Sequence, residues 1–212
     1  MIILLIILDQ NLPIVWSQSY CTYDEACVLN PGKYSIGFGV DNYYIYSGTN
    51  DTIPYDERRF DIWTRAGIFK KLEFELKYSY PTAGVISIKY HLFDKFINSS
   101  FKFGFGYMKG TRINYITDYV YDFYGTLFLE KDIICGIKFL YAPKIIYSMH
   151  YHDRQEHSTR PPRYILHLGH CFGFYLGTKF VFMPEINWLW GNNNGIKYMV
   201  NQFGIGVNLK IE

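Results

Sequence analysis

The chain has 212 residues, a length that suits one all-β domain, and its formal net charge of +2 comes without any run of Lys or Arg, which excludes a protein that tracks a phosphate backbone. Aromatic residues make up 20% of the chain and charged residues only 19%, which excludes an ordinary water-facing surface as well. The 21 Tyr and 17 Phe call instead for pleated strands and, for Tyr, a boundary between apolar and wet surroundings.

Residues 1–8 are an apolar run too short to cross a bilayer, and Asp9, Gln10 and Pro13 break the pattern immediately after it. Residues 1–19 therefore read as a secretory signal segment, although a basic n-region is missing. Residues 20–32 read as a periplasmic lead-in. In an oxidising compartment Cys21 and Cys27, close together within it, could close a small disulfide loop.

Residues 33–212 repeat one unit: a run alternating with period two, closed by a turn, about as long as a tilted strand needs to cross a bilayer. The runs are 33–46, 58–67, 72–80, 84–93, 100–109, 119–129, 133–149, 163–176, 179–190 and 199–211. The clearest is 72–80, where Leu72, Phe74, Leu76, Tyr78 and Tyr80 share one face and Glu73, Glu75, Lys77 and Ser79 the other. Segment 101–108 sets Phe101, Phe103, Phe105 and Tyr107 against Lys102, Gly104, Gly106 and Met108, and 199–211 repeats the arrangement. Connections at 68–71, 94–99, 130–132 and 177–178 are short, whereas 48–57, 110–118, 151–162 and 191–197 are longer and more polar; only 81–83 departs by being short. An even number of strands places both ends of the chain on the short-turn rim.

Alternation alone does not say which face points outward, because a soluble ligand-binding barrel alternates too. An inward aromatic face would overfill the lumen of ten strands. An outward one meets lipid and leaves the glycines and the ionic residues inside. Closure follows, since an open edge in lipid leaves backbone groups unpaired at a cost of roughly several kcal/mol each. The expected fold is all-β: a closed antiparallel up-and-down transmembrane β-barrel of about ten strands.

With Gln202, Gly204, Val207 and Leu209 spaced along its last strand, the chain resembles the small bacterial outer-membrane β-barrel class over nearly everything after Pro31. It departs from the usual pattern by ending in Ile211 and Glu212 rather than an aromatic residue. The resemblance implies an outer-membrane location, with the lipid bilayer and the barrel-assembly machinery as partners.

Alternation turns Glu73, Glu75, Lys77, Lys89, His91, Lys102, Lys138, His167, Lys179 and Glu185 toward the lumen, where opposite charges can pair. Asp122 and Lys210 join them. An ionic ladder filling the interior is the plainer reading of this set, and a narrow selective pore is the functional one. His150, His152, Asp153 and His157 form the densest group of metal-binding or acid–base side chains, in the longest connection, with Asp118 and Asp122 near enough in the topology to approach them. A solvated polar loop is the plainer reading there. No nucleotide motif, nucleophile elbow or Cys-based metal spacing occurs, so no catalytic residue is assigned and no cofactor is expected. The expected role is structural, adhesive or that of a narrow channel. The alternatives are an outer-rim hydrolase or metal-binding barrel using residues 150–157, and a soluble barrel that binds an apolar ligand.

Overall fold

The computed structural model describes residues 21–47, 55–80, 83–112, 116–154, 162–193 and 196–211. Ten strands follow one another along the chain: β1 (Tyr34–Ser47), β2 (Tyr55–Phe69), β3 (Leu72–Tyr80), β4 (Ala83–Asp94), β5 (Asn98–Arg112), β6 (Ile116–Ile134), β7 (Ile137–Arg154), β8 (Arg163–Leu176), β9 (Phe180–Asn193) and β10 (Ile196–Ile211). Each pairs antiparallel with its neighbours in sequence, and β1 closes the ring on β10 in a register running from Tyr34 opposite Ile211 to Ser47 opposite Tyr198. No sheet edge remains among the described strands.

The two faces are reversed relative to a water-soluble protein. Phe38, Phe103 and Leu168 are more than half exposed on the outer wall, whereas Arg65, Glu75 and Lys89 are 2–3% exposed inside it. Such an exterior suits hydrocarbon, and it leaves the soluble ligand-binding barrel without its inward apolar face. Outward rings pack side by side on β7, β8 and β9, where Tyr141 lies 5.0 Å from Phe172, Phe172 lies 5.6 Å from Trp188 and Trp190 sits against His170. Trp188 and Trp190 thus form part of this outer face.

Several boundaries differ from those the alternation predicts. β6 and β7 take in residues 116–118 and 151–154, read from sequence as loop, with Thr117 opposite Asp153 and Asp118 opposite His152. Main-chain pairing carries the hairpin past the length needed to cross the hydrocarbon, where no apolar face is required and the sequence signal fades. The β6–β7 turn falls at residues 135–136 rather than 130–132. Gly136 takes φ 76° there, and Gly177 takes φ 108° in the β8–β9 turn, a region that side chains rarely adopt.

Candidate functional site: a lumen filled by the N-terminal segment

The lead-in to β1 does not hang below the ring. Gly32, with φ 78°, reverses the chain, and its N–H donates to the Gly67 carbonyl while the Gly67 N–H donates to the Lys33 carbonyl, so the segment is fastened to the end of β2. From there residues 29 to 21 run into the lumen. Tyr23, Asp24, Glu25 and Ala26 are all buried, Tyr23 and Ala26 fully.

A peptide buried without a strand partner must find partners for its main chain elsewhere. Here side chains of the wall supply them. Carboxylates accept the amides: Glu73 from Leu29 at 2.8 Å, Glu130 from Ala26 at 3.0 Å, and Glu185 from both Tyr23 and Thr22 at 2.7 Å. Cations cover the carbonyls: Lys89 donates to Glu25 at 3.0 Å, Lys77 to Cys21 at 2.9 Å, and Arg65 to Tyr23. The ionic ladder that alternation placed in the lumen therefore acts as a substitute β-ladder for the inserted chain.

Two acids of the segment complete the charge balance. Asp24 lies 2.8 Å from Lys89, 2.9 Å from Lys102 and 3.4 Å from Arg65, while Glu25 reaches Lys138 at 3.0 Å and Lys210 at 2.5 Å. The wall cations are also paired with wall carboxylates, as in Arg65–Glu75 at 2.6 Å, Lys89–Glu73 at 2.9 Å and Lys77–Asp61 at 2.8 Å. Pairing of this density is what allows so many charges to persist away from water.

Burial by itself pushes the Asp24 carboxyl up, but Arg65, Lys102 and Lys89 outweigh it and hold the group well below the usual carboxylate range. For Glu25 burial is likewise outweighed, by Lys210 and Lys138, and the group is lowered. A carboxylate whose folded value is depressed adds stability that is complete above its unfolded value and is lost as pH falls through the folded one. The barrel is therefore expected to keep full resistance to urea from neutrality down to about pH 4, the unfolded carboxylate range, and to weaken progressively below it. Glu25→Gln and Asp24→Asn together should flatten that acid limb, and an unchanged limb would show that other carboxylates cause it.

Tyr23 fits the lumen because the wall is bare beside it. Its ring stacks on Trp63 with centroids 5.1 Å apart, its hydroxyl donates to the Val40 carbonyl at 2.9 Å, and it lies over Gly39 of β1 and Gly206 of β10, which face each other across the closing seam. A Cβ at Gly39 would stand 2.7 Å from the ring and one at Gly206 2.5 Å. The backbone at Tyr23 takes φ 45°, a left-handed conformation that costs about 1 kcal/mol or more for a residue with a side chain and is held by the surrounding contacts.

The structure distributes the residues singled out from sequence unevenly. Glu73, Glu75, Lys77, Lys89, Lys102, His167 and Glu185 are buried in the lumen, and Lys138 reaches into it to pair with Glu130 at 3.1 Å. His91 lies at the short-turn rim, 3.9 Å from the exposed Asp94, beside an irregularity in the β4–β5 pairing. Lys179 is a correction: it is exposed in the β8–β9 turn, because the turn extends one residue further than the alternation suggests. Higher in the lumen, His167 and the Tyr198 hydroxyl are 2.6 Å apart.

His150, His152 and Asp153 belong to β7 rather than to a loop. The side chains of His152 and Asp153, and the whole of His157, lie outside the described residues. Among the described residues no three His, Cys, Asp or Glu side chains converge as a metal site. Cys21 and Cys27 are thiols rather than a closed loop: Asn187 donates to the Cys21 sulfur at 3.3 Å, while Cys27 points toward Glu130 at 3.9 Å. The lead-in holds them apart because each meets a different part of the wall.

No family model matches the chain, and no curated protein does. Among solved structures, Neisserial surface protein A is similar over 84% of this chain and 97% of its own, with a TM-score of 0.50 and 12% identity. The fold is that of a small outer-membrane β-barrel. Ail of Yersinia pestis, solved with the heparin analogue sucrose octasulfate, overlaps 84% of this chain and 99% of its own at a TM-score of 0.42 and 12% identity. The translocator domain of the autotransporter NalP from Neisseria meningitidis overlaps 84% and 88% at 0.36 and 8%.

What the sequence reading of this small barrel missed is the filling of its lumen by residues 21–29. A signal for it exists in the facing glycines of β1 and β10, which leave a smooth patch that something other than the wall must cover.

Proposed function

We propose that this protein is a closed barrel of a bacterial outer membrane whose role is structural or adhesive, with the lipid bilayer and the barrel-assembly machinery as its partners, and that it does not act as an open pore. The observation that carries the reading is Asp24, 1% exposed and held among Arg65, Lys89 and Lys102 inside the ring. A solute path would have to run through that cluster, and parting buried ion pairs costs several kcal/mol each, roughly. With transport disfavoured, what the barrel offers is its anchored wall and the upper ends of β6 and β7, which run on beyond the span of the shorter β3.

Two measurements test this. In SDS the refolded protein should migrate differently before and after boiling, as closed barrels do, and should stay with lipid vesicles through an alkaline wash. Reconstituted in planar bilayers, it should show no stable step currents. Long-lived steps with the native chain would overturn the closed-barrel reading in favour of a narrow channel, and release from the vesicles would overturn the membrane reading itself.

A further inference from the structure

The short-turn rim is basic and greasy at once. Each of its four turns carries lysine at or beside it: Lys70 and Lys71 between β2 and β3, Lys95 between β4 and β5, Lys131 at the foot of β6, and Lys179 between β8 and β9. All five are exposed. Large exposed apolar side chains neighbour them in the chain, Phe69 (65% exposed) before Lys70, Phe96 (77%) after Lys95 and Phe180 (60%) after Lys179. The two kinds of residue are in contact, since the Lys131 ammonium stands 4.2 Å over the Phe96 ring. Asp94 and Asp132 are the exposed acids of the same rim among the described residues.

We infer that this rim is a binding surface for anionic phospholipid headgroups, with the phenyl rings seated among the acyl chains and the lysines reaching the phosphates above them. The geometry fits a lipid better than a soluble anion. The cations form a ring at the edge of the hydrocarbon-facing band rather than a pocket, and each is a flexible point charge of the kind that reaches from an apolar wall to an interface. Charge complementarity supplies the selectivity: a lysine near an anionic surface favours it by about fivefold, and the effect is screened within a Debye length of salt. Lys89, Lys102 and Lys138 of the lumen take no part, because they are paired with Glu73, Glu75, Glu130, Asp24 and Glu25. The inference rests on the barrel lying in a membrane, which the alkaline wash tests separately.

The experiment uses the refolded full chain in mixed micelles of phosphatidylglycerol and phosphatidylcholine, with retained lipids counted by native mass spectrometry. The wild type is expected to retain phosphatidylglycerol about tenfold over phosphatidylcholine at low salt and to lose most of that preference at high salt. A protein with Lys70, Lys71, Lys95, Lys131 and Lys179 all changed to Gln should show little preference at either, while still shifting on boiling in SDS. Equal retention of the two lipids by the wild type would overturn the proposal, and so would a preference that survives in the folded variant. Were the variant not to fold, the wild-type comparison and its salt dependence would still decide the matter.

Discussion

Replacing Asp24 by Ala is expected to destabilise the folded barrel by about 3 kcal/mol, near the lower end of what breaking a buried ion pair costs. The carboxylate meets three cations at once, so its loss leaves Arg65, Lys89 and Lys102 crowded together without it. The cost stays near the lower end because each keeps a wall carboxylate, Glu75 for Arg65 and Lys102 and Glu73 for Lys89. Asp24→Asn preserves shape and some hydrogen bonding and should cost less, and its own cost relative to the native chain reports the charge. Urea titration of the refolded protein, read by the fraction that still shifts on boiling, gives both values. A loss under about 0.5 kcal/mol for the Ala variant, the level of an ordinary surface change, would mean that the segment is not held by its acid.

Placing a side chain at Gly206 should have the larger functional effect. In Gly206→Val the new Cβ would fall 2.5 Å from the Tyr23 ring, and β10 cannot recede because it is paired with both β1 and β9. Tyr23 must therefore move, and Thr22 and Asp24 with it. The readout is Cys21, 3% exposed in the native lumen. With Cys27, Cys135 and Cys171 changed to Ser, a polar maleimide should label Cys21 about tenfold faster or more in the Gly206→Val protein than in the parent, since thiol reactivity follows access. Equal rates in two proteins that both shift on boiling would show that the glycine patch does not seat the segment.

Much of the barrel was legible because lipid imposes a strict grammar. Leu72 to Tyr80 alternates so cleanly that one face must be hydrocarbon and the other ionic, and the pairing of every strand with the next follows from short turns such as 70–71 and 177–179. The signal weakened where lipid ends. Thr117, Asp118, His152 and Asp153 sit in paired strands, yet nothing in their side chains had to announce it. The lumen was half legible. The charges of Glu73, Glu75, Lys89 and Lys102 were placed inside by parity, but parity gives no partner beyond the wall, and a segment without period, such as residues 21–29, cannot be assigned a position from its own pattern. Its position is written instead in residues far along the chain, in Glu130, Glu185 and Gly206, which only the closed ring brings to it.

The placement of Tyr23 across the seam between β1 and β10 also constrains the order in which the molecule can be built. The strands that flank it on one side, β1 and β2, leave the ribosome directly after it, while β10 arrives last. Once β10 has zipped onto β1, the opening is lined by interlocked ion pairs, and threading a charged peptide through it would demand their rupture. The segment must therefore be lying against Trp63 and Arg65 before closure, so that the remaining sheet is wrapped around it in the manner of a mandrel. The slow, long-range joining of first strand to last then becomes the step that commits the contents of the barrel as well as its wall.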